Sequence, residues 1–325
     1  MDKIKIGIIG FGNVGKAVLE VIHNQPDMEL VGVFTRRDPK QLHISDIPAF
    51  HIDDVKKFTD RIDVMILCSG SATDLPTQGP EIAKMFNTID SFDTHAKIPM
   101  YYESMNNASI ESKKVSIIST GWDPGLFSIH RLYGEAFLPQ GKTYTFWGPG
   151  VSQGHSQAIR TISGVKKAVQ YTMPVEETLE VIRYGETPDF STKEKHTRVC
   201  YIVAEEGADG NAIEVEIKTM PNYFADYDTF VNFISEEEFD KNYTAMPHAG
   251  VVITSANTGE GNKFTMEFSH KVDSNPEFTA NIMLAFARAA YKLYKKGEVG
   301  ARTVFDIPPA MLSSKSTEEL RKEIL

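Results

Sequence analysis

The sequence predicts an α/β protein with an N-terminal Rossmann-type dinucleotide-binding domain and a second α+β domain built on a largely antiparallel sheet. Three observations carry this. The apolar run Ile4–Ile9 feeds into Gly10-Phe11-Gly12-Asn13-Val14-Gly15. Apolar runs then alternate with helical patterns through the first 120 residues, as a series of βαβ units reads. Past Gly125 the texture changes to period-two alternation, as in an open antiparallel sheet with one covered face. These divide the chain into a dinucleotide-binding domain at 1–120, completed by about 275–325, and a second, substrate-binding domain at 121–274.

In the first unit Gly10 permits a tight turn out of the strand, Gly12 lets backbone approach a pyrophosphate, and Gly15 lets the next helix pack on the sheet. That helix, from Asn13 and Val14 to about His23, aims its free N–H groups at the phosphates. The second strand, residues 29–34, ends at Thr35-Arg36-Arg37, where an NAD site usually offers an acid to the ribose 2′-hydroxyl. An acid there would repel a 2′-phosphate by about 4 kcal/mol, for unit charges ~4 Å apart at an effective dielectric of ~20. Two guanidiniums attract it through charge-assisted bonds, so the cofactor read from these residues is NADP. The competing reading makes Arg36 and Arg37 solvated surface charges.

Further strands are expected at residues 63–68, 88–92 and 115–119, with another helix at 98–113. Ligands of such sheets lie beyond the carboxyl ends of the strands. There stand Ser69-Gly70-Ser71-Ala72-Thr73-Asp74, whose small residues let backbone approach the cofactor, Asp90-Ser91-Phe92-Asp93, and Thr120-Gly121-Trp122-Asp123-Pro124-Gly125. In the second domain, strands are expected at Lys142–Trp147, 197–204, 228–234, 250–256 and 263–272. Residues 214–217 alternate but fit a helix equally. Asn275-Pro276 reads as a cap and first turn of a helix whose buried face is Phe278, Ile282, Ala285, Phe286, Ala289 and Leu293, docked on the nucleotide domain. Ser316-Thr317-Glu318-Glu319 reads as a capping box for a short last helix.

Composition narrows the function classes. The 34 basic and 44 acidic side chains leave a net charge of −10, against nucleic acid or an anionic membrane as main partner. No apolar stretch approaches the ~20 residues of a membrane span, and the chain enters a strand with no signal peptide, so a cytoplasmic protein is expected. Two cysteines, Cys68 and Cys200, are too few for a disulfide framework or a Cys-based zinc site, and Cys68 reads as core. The nine histidines show no H-x-x-x-H spacing, and no metal is expected.

Several segments together carry a more specific signal. Asp90-Ser91-Phe92-Asp93-Thr94-His95, Ser119 to Gly125, Thr145-Phe146-Trp147-Gly148-Pro149-Gly150, Ser152-Gln153-Gly154-His155-Ser156, Lys166 to Thr172, Thr244-Ala245-Met246-Pro247-His248 and Asp273-Ser274-Asn275-Pro276 resemble, in order and spacing, the meso-diaminopimelate D-dehydrogenases. The resemblance runs nearly end to end. It implies reversible NADP-dependent oxidative deamination at the D-centre of meso-2,6-diaminopimelate to L-2-amino-6-oxopimelate and ammonia, in the synthesis of lysine and cell-wall precursors. It also implies a homodimer, assembled through the second domain.

The substrate carries a carboxylate and an ammonium at each end of an apolar spacer, so its site needs cations or amide donors, acids and an apolar wall. By the resemblance, Asp93 and Asp123 stand near the reacting centre, and Thr172, Arg198, His248 and Asn275 hold the distal L-centre. Trp147 forms the wall, and Gln153 and Gly154 supply side-chain and backbone donors. Hydride departs only after the amine has lost its extra proton, so a base is required; Asp123 with Asp93 as partner is the expected acceptor, directly or through water. The plainer readings are that Asp123 caps the next helix, Asn275 is an N-cap, His248 a loop histidine, Trp147 core and Arg198 an outward charge. His155 reads as a helix-start histidine without a catalytic role. Rival functions are another two-domain NADP oxidoreductase acting on an aldehyde, sugar or aspartate-derived acid, and a non-catalytic NADPH-binding redox sensor.

Overall fold

The computed structural model describes residues 3–42, 44, 47–259 and 261–325. The chain forms two compact units, one of residues 1–129 and 276–325, the other of residues 130–275.

In the first unit, strands β1 (Ile4–Ile9), β2 (Met28–Thr35), β3 (Ala49–His51), β4 (Val64–Leu67), β5 (Asn87–Asp90) and β6 (Val115–Ile117) all pair in parallel. β4 is buried at every position, as a strand covered on both faces must be. The helix Asn13–Val21 turns its small and branched residues Gly15, Ala17, Val18 and Val21 inward and continues as a 3-10 turn to Asn24. A helix not anticipated from sequence, Leu75–Ala83, follows β4, and Ile98–Ser112 follows β5. It escaped notice because Pro76 and Pro80 stand in it; Pro76 occupies the first turn, where no donor is lost.

The second unit holds two sheets. β7 (Lys142–Trp147), β12 (His248–Thr258) and β13 (Asn262–Val272) form an antiparallel sheet in the order β13-β12-β7. The other has the order β11-β10-β9-β8, from β8 (Gly150–Val151), β9 (Val165–Pro174), β10 (His196–Ala204) and β11 (Asp228–Phe233). β9, the longest strand of its sheet, has no counterpart among the expected strands. It starts with the adjacent pair Lys166-Lys167 and buries Gln170 completely, so polarity does not alternate along it. β10 and β11 pair in parallel, the one exception to antiparallel order among the described strands here. Residues 214–217 belong to the helix Gly210–Thr219, which Asp209 caps by accepting from the Asn211 and Ala212 amides.

The chain then re-enters the first unit. β14 (Gly300–Arg302) pairs with β6, giving a seven-stranded order β14-β6-β5-β4-β1-β2-β3. The helix Asn275–Lys295 packs Ala280, Met283, Leu284, Phe286, Ala287, Ala289, Ala290 and Leu293 into the same core as Ile4, Ile6, Ile8, Val64 and Val115. The face expected from sequence is corrected at three positions: Phe278, Ile282 and Ala285 are only partly buried, and Ala280, Met283, Leu284 and Ala287 take the centre. Arg288 is buried on this helix, with Nε 2.6 Å from Asp27 Oδ2. Burial alone would raise the Asp27 pKa, but the guanidinium holds it below the usual carboxylate range. Ser316 and Glu319 form the capping box of the helix Thr317–Glu323.

Candidate active site

The first unit's contribution begins where β1 ends. Gly10 takes φ +90°, and a Cβ on Gly15 would overlap the Gly10 carbonyl oxygen, so turn and helix close on each other only with glycine at both places. At Gly12 nothing lies within 4 Å of where a Cβ would stand, which leaves the backbone open to a ligand. Around this turn lies a cleft of about 490 Å³, lined by Gly10, Gly12, Asn13, Thr35, Arg36, Arg37, Ser69 and Gly70. Val14, Gly15, Ser71, Ala72 and Thr73 do not line it. Asp74, at the end of the segment after β4, does, as do Lys16 and Gln78, which were not anticipated from sequence. Cys68 also faces this cleft and is half-buried rather than core, with its thiol pushed up to about 12 by burial.

Three cations against one acid make the cleft electropositive. Arg36 donates from both terminal nitrogens to the two Asp74 carboxylate oxygens, each at 2.9 Å. Arg37 donates to the Phe11 carbonyl at 2.9 Å, and its own amide donates to Thr35 Oγ1 at 3.1 Å. An open glycine backbone at a helix N-terminus beside these cations fits a dinucleotide carrying an extra phosphate.

Beyond β4, β5 and β6 three loops interlock. The Asp93 amide donates to Ser71 Oγ at 2.9 Å, joining the loop after β4 to that after β5. Asp93 is exposed and Asp123 half-buried. Asp123 precedes the helix Leu126–Phe137 by three residues, in a loop closed by a bridge between Gly121 and Gly125 and by the Leu126 amide donating to the Gly121 carbonyl at 3.1 Å. Trp122 is buried, its ring 4.5 Å from that of Phe127.

In the second unit Trp147, Thr172, Arg198 and His248 lie on strands, and Gln153, Gly154 and Asn275 at the starts of helices. Gly150, Thr172, Arg198 and Thr229 lie on one line across β8, β9, β10 and β11. Arg198 is buried, donates from Nη1 to Thr172 Oγ1, and lies 3.8 Å over the Tyr227 ring. Its Nε has no hydrogen-bond partner, and among the described residues no carboxylate lies within ion-pair range. Burial lowers its pKa, against the opposing pull of the Tyr227 hydroxyl, which hydrogen-bonds to it.

His248 packs so closely on Gly150 that a Cβ there would stand 2.6 Å from its Nδ1. That nitrogen lies 2.9 Å from the Ala249 carbonyl oxygen, and burial lowers the ring's pKa. Gln153 opens the helix Gln153–Arg160 and points Nε2 at the Met246 sulfur, 3.3 Å away, while Gly154 is open around its Cα. The Asn275 amide donates to the Met246 carbonyl at 3.1 Å. Trp147 is 38 % exposed and so is not a core residue.

Two histidines that the sequence did not single out as site residues support this group. His196 Nε2 accepts the Trp147 amide at 2.9 Å, and its ring stacks on the indole at 5.4 Å between centroids. That bond requires neutral imidazole with the proton on Nδ1, and burial, with Arg198 and Lys195 nearby, lowers its pKa to about 3. His155 Nδ1 lies 2.8 Å from Ser152 Oγ, and burial with the Arg198 charge lowers it to about 4. Among the described residues no group of three or more His, Cys, Asp or Glu side chains is arranged to hold a metal ion.

A phosphate-accepting glycine turn on a parallel sheet, and a second unit presenting a buried guanidinium without a counter-ion, define a two-domain nicotinamide-dependent oxidoreductase. Residues 4–89 match the model of the oxidoreductase family with an NAD-binding Rossmann fold, and residues 121–274 match that of the diaminopimelic acid dehydrogenase C-terminal domain. The chain is 60 % identical to the meso-diaminopimelate D-dehydrogenase of Ureibacillus thermosphaericus over 100 % of both chains. The Corynebacterium glutamicum DAP dehydrogenase solved in complex with DAP is 46 % identical over 100 % of both chains, with a TM-score of 0.93. An engineered D-amino acid dehydrogenase bound to NADP+ is 44 % identical, covering 99 % of this chain and 100 % of its own, with a TM-score of 0.87. The chain belongs to the meso-diaminopimelate D-dehydrogenase family.

Proposed function

We propose that this chain catalyses the reversible oxidative deamination of meso-2,6-diaminopimelate at its D-centre, with NADP and water consumed and L-2-amino-6-oxopimelate, ammonia, NADPH and a proton formed. The observation that carries this reading in the structure is Arg198, a buried guanidinium without an acid partner among the described residues. An unpaired buried charge costs several kcal/mol, and a substrate bearing a second carboxylate supplies what is missing. Thr172, which accepts from Arg198, and His248, Asn275 and Gln153 are the hydrogen-bonding groups we assign to the distal L-centre, with Gly154 offering backbone and Trp147 an apolar wall.

Bound NADP would supply the hydride acceptor. Gly10, Gly12 and Asn13 would hold its pyrophosphate, and Thr35, Arg36 and Arg37 would take the 2′-phosphate. Ser69 and Gly70 would lie beside its ribose and nicotinamide. The acids of the first unit act on the reacting end. Asp93 and Asp123 bind the ammonium, and Asp123 takes its extra proton, directly or through one water. The nitrogen lone pair then forms the imine as the Cα–H bond breaks. Water adds to the imine carbon, the C–N bond breaks, and ammonia leaves. Asp123→Asn should therefore lower turnover; near-normal turnover with only a raised KM would show that Asp123 binds without accepting a proton.

The enzyme mixed with NADP and meso-diaminopimelate should generate the reduced-nicotinamide absorbance, and the L,L and D,D isomers should not. No signal with any isomer refutes the reading and leaves a nucleotide-binding sensor. Replacing Arg36 and Arg37 by alanine should raise KM for NADP roughly 10- to 100-fold, the scale of one or two lost charge-assisted bonds, and leave KM for NAD nearly unchanged. An equal rise for both would contradict the 2′-phosphate role. No helix among the described residues is long and apolar enough to cross a membrane. A cytoplasmic homodimer is the assembly we propose, supported by large apolar side chains exposed on β11 and β13, Phe230, Phe233 and Phe264. A single light-scattering peak at the monomer mass would rule the dimer out.

A further inference from the structure

We propose that Asp90 is a positioning residue for the reaction: its side chain and carbonyl clamp together the loops that carry Asp93 and Asp123. This rests on the reading that those two acids handle the substrate ammonium.

Asp90 is the last residue of β5 and is wholly buried. Its Oδ1 accepts two amides from different loops, that of Phe92 at 3.0 Å and that of Ser119 at 3.0 Å. Phe92 is the neighbour of Asp93, and Ser119 opens the segment leading to Asp123. The Asp90 carbonyl accepts both the amide and the hydroxyl of Thr120, each at 2.9 Å. Its Oδ2 accepts Tyr101 Oη at 2.9 Å, and the Tyr101 ring stacks on Phe92 at 4.2 Å.

The backbone shows what the clamp holds. β5 and β6 are parallel neighbours as far as Ile117. Two residues later Ser119 takes φ +56°, a left-handed conformation that non-glycine residues rarely hold unless their surroundings fix it. The Asp90 carboxylate grips the amide of that residue. The far side of the first loop is held by Ser71 Oγ on the Asp93 amide, so Asp93 is tied to the loop after β4 and the segment entering Asp123 is tied to the end of β5. A carboxyl group without solvent is a costly tie, and burial raises its pKa to about 6 against the pull of its donors. Apolar side chains would fill that space more cheaply but would leave two amides from the acid-bearing loops unpaired.

Asp90→Asn and Asp90→Ala separate the possibilities. Asparagine keeps Oδ1 as acceptor for both amides and offers Nδ2 to the Tyr101 oxygen. Its kcat with meso-diaminopimelate should stay within about 3-fold of the parent, and the inflections of its pH profile should not move. Alanine frees both loops and should lower kcat roughly 10- to 100-fold, the scale of a misplacement of about 1 Å. NADPH affinity, read by fluorescence titration, should change less than about 2-fold, because the cleft residues are untouched.

Three results overturn the proposal: an alanine variant with near-parental turnover, an asparagine variant as impaired as alanine, or a lost pH inflection in the asparagine variant, which would make Asp90 itself a proton-transfer group. Should the alanine variant not fold, Tyr101→Phe stands in, since it removes the Oδ2 partner and leaves both amide bonds. Turnover within about 3-fold in both Tyr101→Phe and Asp90→Asn upholds the clamp, and a tenfold loss in either overturns it. An Asp123→Asn arm keeps the two ideas apart. Normal turnover there removes the role given to the acids, whereas loss there with a normal Asp90→Ala removes only the clamp.

Discussion

Arg198 places binding and stability in opposition at a single residue. Its guanidinium is buried, faces Tyr227 at 3.8 Å and has an unpartnered Nε. A cation–π contact is worth up to about 2 kcal/mol when desolvated, less than the several kcal/mol that burying an unpaired charge costs. Arg198→Met should therefore raise KM for meso-diaminopimelate by ~30-fold or more, equivalent to about 2 kcal/mol for a buried charge pair, while leaving the melting temperature equal or higher. A melting temperature several degrees lower would mean that the guanidinium is structural. Tyr227→Leu should raise KM with kcat unchanged, and Tyr227→Phe, which keeps the ring face and loses the hydroxyl, should raise it less. Arg198 was expected at the site only from the position it takes in the resemblance to a known family. Tyr227 was not, since it reaches Arg198 across a strand pair, 29 positions on, and a lone tyrosine carries no sign of such a partner. Asp90 was legible as part of a loop but not as a clamp, because which amides a buried carboxylate gathers depends on strand neighbours.

At the scale of elements, the sequence was clearest where one physical requirement governs a whole segment. β1 and the glycine turn had to be a strand entering a helix, and β7 and β13 alternate in burial, while β12 between them is buried from Ala249 to Ala256. β9 was lost because its pattern answers to several demands: Lys166 and Lys167 pair with Glu236 and Asp240, Gln170 is interior, and Thr172 faces Arg198. β14 is three residues long, too short for any period, and is recognisable only from its pairing with β6. The meeting of β8 with β12 invites a direct test. Gly150→Ala puts a methyl group 2.6 Å from the His248 ring nitrogen and 2.7 Å from its Cα, so the ring and its strand must both give way. KM for meso-diaminopimelate should rise several-fold with NADP affinity and secondary structure retained; an unchanged KM would show that His248 does not need its present position.

At the scale of the molecule, acid should weaken the second unit first. His130, His155 and His196 have pKa values lowered from 6.5 to about 4, 4 and 3, chiefly by burial. Below 6.5 the unfolded chain takes up protons that the native rings refuse, so the stability these rings contribute is complete above that pH and is lost as pH falls. Asp90 works the other way, one carboxyl against three rings: its pKa is raised, so its contribution falls as pH climbs towards 6. The urea midpoint should drop between pH 7.5 and 5, and His196→Gln should flatten that slope. A midpoint flat over this range would mean that the rings protonate in place. The return of residues 276–325 to the first unit has a consequence for how the chain is made. On the ribosome the glycine turn emerges early, yet the helix that covers its sheet and the strand that closes its edge are still unsynthesised. At ~5–20 residues per second the intervening segment alone takes on the order of ten seconds, so the second unit has all its residues while the first still exposes an uncovered apolar face. Protease added to chains stalled near residue 275 should cut the nucleotide unit before the second one, and nascent-chain chaperones should find their longest-lived target in residues 1–129.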